Sequence, residues 1–441
     1  MKNVTAMQAV LLFVLSLVLP PTLFAYPLDG YKDTGIRRVE GARLVHEGVI
    51  SDNIKQPPGA LLTTEQVDLR LLNHKNMQLP EADEQLSARI KTLLGERVNE
   101  YGIALLDLTD LSNPRYAEHR GDYKQNVGSV GKVLVALGIF QAMADIFPND
   151  LSARIDLLKN TTVTADAISQ SDHHTIRIFD LENKTLTRRS MRIGDQGSQW
   201  EFLDWMLSVS SNSAAAMNQR QGMLLTQYGT DFQPSETEIK RFFTETPGKD
   251  KTAVYQKSFW EPVTRNGLDL EQFRQGSFFT RGGKQIVNGG GNSYATANQL
   301  LQFLVKMEQG ELVDEFSSRQ LKRLLYLTER RIRYASSPAL ANSAVYYKSG
   351  SLYKCKEEKG FKCVPYKGNV RNYMNSVAII ESPAEENNLY YMVIIISNVL
   401  RVNSAVEHQS LATKIHRMMQ QDHPASVESP SDKNSNTKSA Q

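Results

Sequence analysis

Cysteine is nearly missing from this chain of 441 residues, which holds two, Cys355 and Cys363, enclosing CKEEKGFKC. Two thiols fall short of the four ligands of a structural zinc site, and no H-E-x-x-H occurs, so no metal is called for. Apolar runs are as scarce: beyond the first residues no stretch reaches the roughly 18 positions of a membrane span. Charge of one sign does not accumulate either. A formal +3 is spread over 51 Lys+Arg and 48 Asp+Glu, with no basic block or aromatic-interleaved basic patch, so nucleic acid is not implied. Internal repeats are absent. Even the one phosphate-loop suggestion, GSVGK at 128–132, fails. G-x-x-x-x-G-K-[ST] needs a glycine where Asn126 stands and a hydroxyl where Val133 stands. No cofactor is called for.

What is present is ordinary globular composition, 41% hydrophobic and 22% charged, enough for one large domain or two of moderate size. The opening MKNVTAMQAVLLFVLSLVLPPTLFAYP has one basic residue, an apolar run and a stretch ending LFA. It reads as a secretory signal over 1–25, cleaved after Ala25, with a membrane anchor as the alternative. The expectation is a periplasmic or secreted protein that contacts membrane only if this segment stays uncleaved. In such an oxidising compartment the two cysteines either form a local disulfide closing a hairpin or stand free on adjacent strands.

Residues 26–84 read as a polar N-terminal extension without an assignable role, with a little helix around TTEQVDLRLLNH. A helix is expected over ADEQLSARIKTLLGERVNEY, then strands in YGIALLDLTD and around RYAEH. VGKVLVALGIFQAMADIF is apolar on every side, the pattern of a helix in the middle of a core. Residues 150–200 are mixed and polar. The pair His173 and His174, without spaced acidic or cysteine partners, reads as surface. SQWEFLDWMLSVSSNSAAAMNQR reads as two helices with a break at SVSSN. Residues 220–290 read as small helices and loops over one side of a cleft, followed by an amphipathic helix in NSYATANQLLQFLVKMEQGEL. Three strands follow in SAVYYKSGSLYKC, NYMNSVAIIES and NLYYMVIIISNVL, then a closing helix and a disordered tail over 421–441. Strands from both ends would therefore share one sheet around a helical body, making 85–420 a single unit.

Three short segments stand in order: Ser-Val-Gly-Lys at 129–132, Ser-Ser-Asn at 210–212 and Lys-Ser-Gly at 348–350. With S-x-x-K, S-x-N and K-[ST]-G, the chain resembles the serine penicillin-recognising superfamily of class A β-lactamases and penicillin-binding DD-peptidases. VSSNSAAA is close to that family's VSDNTAAN wording. The resemblance covers 85–420. It implies an α/β (α+β) fold with a five-stranded antiparallel sheet flanked by helices, plus an all-helical subdomain.

The resemblance assigns roles residue by residue. Ser129 is the nucleophile, which needs a base within hydrogen-bonding reach. Lys132 is that base if burial and neighbouring cations keep it neutral, and Ser210 relays protons. Asn212, Lys348 and Ser349 bind the substrate's amide and carboxylate. The backbone N–H groups of Ser129 and Ser351 form the oxyanion hole, and Gly350 keeps the strand clear where substrate lies. The bland readings are a helix cap for Ser129 and an edge-strand lysine for Lys348. FWEP at 259–262 is similar to the family's RWEP, which makes Glu261 the candidate base for deacylation. Yet the expected E-x-x-L-N is broken, with Thr264 and Arg265 at the last two positions, so a plain loop carboxylate is the other reading. The implied activity is β-lactam hydrolysis through acyl-Ser129. The alternatives are a D-alanyl-D-alanine carboxypeptidase or related cell-wall peptidase or esterase on a stem-peptide-like substrate, and an inactive module binding cell-wall peptide or protein.

Overall fold

The strands at the two ends of the chain do pair. In a computed structural model that describes residues 29–52, 56–231, 234–329, 331–386 and 388–424, the central sheet has five strands. They are β1 (Tyr101–Asp107), β2 (Arg115–His119), β3 (Ala344–Lys354), β4 (Arg371–Ser382) and β5 (Leu389–Asn398), in the order β2-β1-β5-β4-β3. All neighbours are antiparallel, with Ile103 opposite Ile395 and Lys348 opposite Val377. Successive residues of a strand face opposite sides. Ile103 and Leu105 pack under α2 (Glu84–Leu94), which follows α1 (Arg37–His46) in the chain, and under the closing helix, while Ala104 and Leu106 face the main helical core. Because both faces are covered, the inner strands β1 and β5 read as almost unbroken apolar runs.

At the centre of the helical body lies α3 (Lys132–Ile146), buried from Lys132 through Met143, as its all-round apolar sequence requires. Against it pack α4 (Gln199–Ser208) and α5 (Asn212–Tyr228). Ser198 caps α4 through a capping box with Glu201. The two cysteines are bonded to each other in the β3–β4 connection.

The N-terminal extension differs from its expected form. The helix expected near 63–74 is absent, and among the described residues of this part the helices are Tyr31–Thr34, Arg37–His46 and a 3₁₀ turn at Pro58–Ala60. Ile36, Val39, Ala60, Leu62, Val67 and Leu71 belong to the main core. Their spacing is irregular because they lie mostly on loops, which hides them from periodicity. The C-terminal boundary also moves. The last helix, Ser404–Asp422, runs into the expected tail, where Asp422 pairs with Arg89 and Arg115 and His423 reaches Asp107. Residues 1–25, expected to be a signal, and tail residues 425–441 lie outside the described residues.

Buried charges lock the extension in place. Arg38 pairs with Asp204 on α4 and donates to Leu327 O at 2.9 Å, and both charged side chains are buried. Arg38→Ala leaves Asp204 as an uncompensated buried carboxylate, which costs about 3–5 kcal/mol. Urea denaturation followed by tryptophan fluorescence is expected to show that loss. An Arg38→Ala/Asp204→Ala double variant is expected to recover part of it.

Candidate active site

Ser129 sits in a 3₁₀ turn, Gly128–Gly131, that leads into α3, so Ser129 and Lys132 are one turn apart on a shared face. Lys132 is fully buried, and its Nζ lies 3.0 Å from Ser129 Oγ, 2.6 Å from Ser210 O, 3.2 Å from Ser210 Oγ and 2.8 Å from Asn212 Oδ1. A neutral amine has two hydrogens and one lone pair. The two acceptor-only carbonyl oxygens, Ser210 O and Asn212 Oδ1, can take the hydrogens, which leaves the lone pair for the Ser129 hydroxyl. Desolvation lowers the Lys132 pKa to about 7. The carboxylate of Asp172 pulls it upward, and the Arg333 guanidinium adds to the lowering.

Ser210 bridges the second lysine. Its backbone is left-handed, with φ of 63°, between the end of α4 and the start of α5. A non-glycine residue held there costs roughly 1–3 kcal/mol, a strain the surrounding structure must impose. That conformation turns both its carbonyl and its hydroxyl toward Lys132, and Lys348 Nζ donates to the same hydroxyl at 2.9 Å. Lys348 is buried, and its pKa falls well below the ordinary lysine value through desolvation first, then Lys132 and Arg333.

β3 crosses directly over the nucleophile turn. A Cβ on Gly350 would stand 1.9 Å from Val127 O and 2.8 Å from Ser129 N. The glycine is therefore required by the turn that carries Ser129, a different reason from the expected clearance for substrate. Gly128, at φ of 53°, meets the same crossing from the other side, where a Cβ would lie 3.1 Å from Ser351 N. The Ser129 and Ser351 amides are thus brought to one place.

A cleft of about 1210 Å³ opens here, lined by Ser129, Ser210, Asn212, Lys348, Ser349 and Ser351. Its remaining wall holds residues the sequence reading did not select. Arg333 donates to Ser349 Oγ at 2.7 Å and Ser351 Oγ at 3.1 Å, and its guanidinium stacks 4.9 Å from the Tyr366 ring. Ser349, expected to meet a substrate carboxylate, is held by this arginine. Gln275, Ser277, Phe278 and Phe279 arrive from the loop after the short strand Phe273–Arg274. The Phe279 ring stands 4.9 Å from Lys132 Nζ, and Gln275 is buried with Oε1 unpartnered. A Cβ on Gly131 would lie 2.1 Å from that oxygen.

Glu261 is not brought to the cleft. It is the exposed first residue of a short helix, Glu261–Arg265, whose buried residues are Pro262 and Val263. Burying that pair turns the carboxylate to solvent, outside the cleft wall where a deacylating base was expected to stand. His173 is exposed and His174 half-buried, in keeping with the expected surface position, but the surface they lie on is the wall of the cleft. Their acidic partner is the residue just before them. Asp172 accepts from His174 Nδ1 at 2.6 Å, and from Ser211 Oγ, Asn212 N and Ser213 N at 2.9, 2.7 and 3.0 Å. A carboxylate on the free N–H groups at the start of a long helix is stabilised there. Hydrogen bonds from His174 and the α5 backbone hold it ionised, far below its ordinary pKa, despite burial. The signal was the triplet DHH, but nothing in a single sequence says that it faces SSN.

Among solved structures the chain is similar to a mutant of PBP-A in acyl-enzyme complex with penicillin G, at 13% identity and TM-score 0.48, over 78% of this chain and 100% of that one. It is similar to a β-lactamase from Sphaerobacter thermophilus at 12% identity and TM-score 0.48, over 77% and 96% of the two chains. For the TLA-3 extended-spectrum β-lactamase the values are 13% and 0.47, over 76% and 98%. No curated protein sequence matches. A family model described as the β-lactamase enzyme family matches residues 85–419, three quarters of the chain and all three motifs, and the chain belongs to that family.

Proposed function

We propose that the protein is an exported acyl-serine hydrolase that opens the cyclic amide of a carboxylate-bearing β-lactam through a covalent Ser129 intermediate. The observation that carries this reading is the buried Lys132 amine, 3.0 Å from Ser129 Oγ and joined through Ser210 to Lys348. In this reading Ser129 Oγ attacks the amide carbonyl and its proton passes to Lys132. The Ser129 and Ser351 amides hold the oxyanion, where each donor is worth about 3 kcal/mol at the transition state. Ser210 then delivers a proton to the leaving nitrogen. The substrate carboxylate lies toward Lys348 and Arg333, and its charge keeps Lys348 protonated while Lys132 is neutral. The Cys355–Cys363 bond and the apolar N-terminal segment support export to a periplasmic or extracellular space.

A second reading, a penicillin-binding peptidase acting on a cell-wall stem peptide, is favoured by the position of Glu261. Without a base for water the acyl-enzyme persists. Incubation with a fluorescent penicillin, with the adduct located by peptide mass and its decay followed, separates the two. An adduct on Ser129 that clears within minutes is the expected result. A long-lived adduct selects the peptidase, and no adduct on Ser129 overturns both.

A further inference from the structure

A serine hydrolase of this kind needs a group that takes a proton from the water attacking the acyl-serine. With Glu261 turned to solvent, the cleft wall holds one carboxylate among the described residues, Glu329, and it is ion-paired with Arg177. Gln275 can orient a water through Oε1, but an amide accepts no proton at neutral pH. Lys132 and Lys348 are already engaged with Ser129 and Ser210; of the wall groups left, the two histidines can accept a proton, and His174 is oriented by a carboxylate.

Resting on the reading above, we propose that His174, held by Asp172, is the general base that activates water for hydrolysis of the acyl-Ser129 ester. An ionised carboxylate only accepts, so the 2.6 Å contact fixes the proton of His174 on Nδ1 and leaves the lone pair on Nε2. Nε2 has no hydrogen-bond partner among the described residues, and the side chain is 26% exposed on the cleft wall. Asp172 is fixed in turn by the start of α5. Its Oδ2 takes the Asn212 amide, and the Asn212 side chain accepts from Lys132, which touches Ser129. The dyad and the nucleophile are thus parts of one hydrogen-bonded set.

The charged and titratable groups that act most on the imidazole are Asp172, Lys132 and His173, and Arg188, Lys284, Glu329, Arg333 and Lys348 share the cleft wall with it. Burial first, then Lys132 and His173, lower the His174 pKa against the opposing pull of Asp172, so the ring is neutral at pH 7. In the step, the water oxygen bonds to the ester carbonyl carbon as Nε2 takes its proton. The tetrahedral intermediate collapses with cleavage of the Ser129 Oγ–C bond, and the imidazolium proton returns to Oγ, by way of Lys132 where needed. The carboxylic acid product and the free serine balance the water consumed.

The test measures fluorescent penicillin labelling and release separately. His174→Ala is expected to leave the labelling rate within about threefold and to slow release about 100-fold or more, the range of a lost general base. His174→Gln keeps a donor for Asp172 but offers no base, so it guards against misfolding and is expected to behave alike. Added imidazole is expected to speed release from His174→Ala but not from His174→Gln, where the cavity is filled. Unchanged release in either folded variant overturns the proposal and leaves acyl-serine chemistry standing. A wild-type adduct that never clears overturns it too, while absence of any wild-type adduct removes the reading on which it rests.

Discussion

Lys132→Met lowers the rate of Ser129 acylation by about three orders of magnitude while the protein remains folded. General-base help contributes about 10²–10⁴-fold, and this amine is the only base within 3.0 Å of Ser129 Oγ among the described residues. Methionine fills a similar unbranched volume in a site with no exposure to water. Wild-type acylation is expected to rise tenfold per pH unit below about pH 7 and to level off above it, following the neutral fraction of Lys132. The same group gives stability a signature. The folded pKa, about 7, is depressed from the ordinary 10.5, so between those values the unfolded chain binds a proton that the folded chain does not. Unfolding free energy from this group therefore rises with pH across that window and is flat below it. Stopped-flow labelling across pH, with urea melts at matching pH, tests both parts. A Lys132→Met variant that acylates like wild type, or that keeps the stability slope unaltered, contradicts the assignment.

Much of this arrangement is legible before folding, and the reasons differ by residue. The strand at 389–398 and the α3 helix declare themselves because burial on all sides demands near-continuous apolar sequence, and the strands at 344–354 and 371–382 show through their β-branched and aromatic residues. Ser129 and Lys132 are legible because three residues of helical spacing fix their separation. Ser210 and Lys348 need the resemblance, since only the fold carries them to Lys132. Arg333 and the Asp172–His174 pair escape notice because long-range contacts alone bring them to the cleft: Arg333 meets Ser349 and Ser351, and Asp172 meets the α5 start. Glu261 misleads for the converse reason. The local WEP wording is present, but the loop after Phe273–Arg274 carries Gln275 and Phe279 into the cleft instead.

Gly350→Ala is expected to cost about 10²–10³-fold in acylation with little loss of global stability. The added Cβ would sit 1.9 Å from Val127 O and 2.8 Å from Ser129 N, and backbone atoms cannot rotate away as a flexible side chain would. Either β3 or the Ser129 turn must move. β3 is an edge strand of the sheet, hydrogen-bonded to β4 on one side with Gly350 opposite Asn375, so a small outward shift leaves the sheet intact. That shift separates the Ser351 amide from the Ser129 amide, and losing one oxyanion donor costs about 3 kcal/mol at the transition state. A misplacement near 1 Å is enough for such an effect on reacting groups. Because Lys132 stays on α3, the pH at which acylation levels off is expected to remain near 7 in the variant. Labelling kinetics and a thermal melt distinguish the outcomes. Normal acylation by Gly350→Ala contradicts the tight crossing. A large fall in melting temperature places its effect in the sheet rather than at the oxyanion donors.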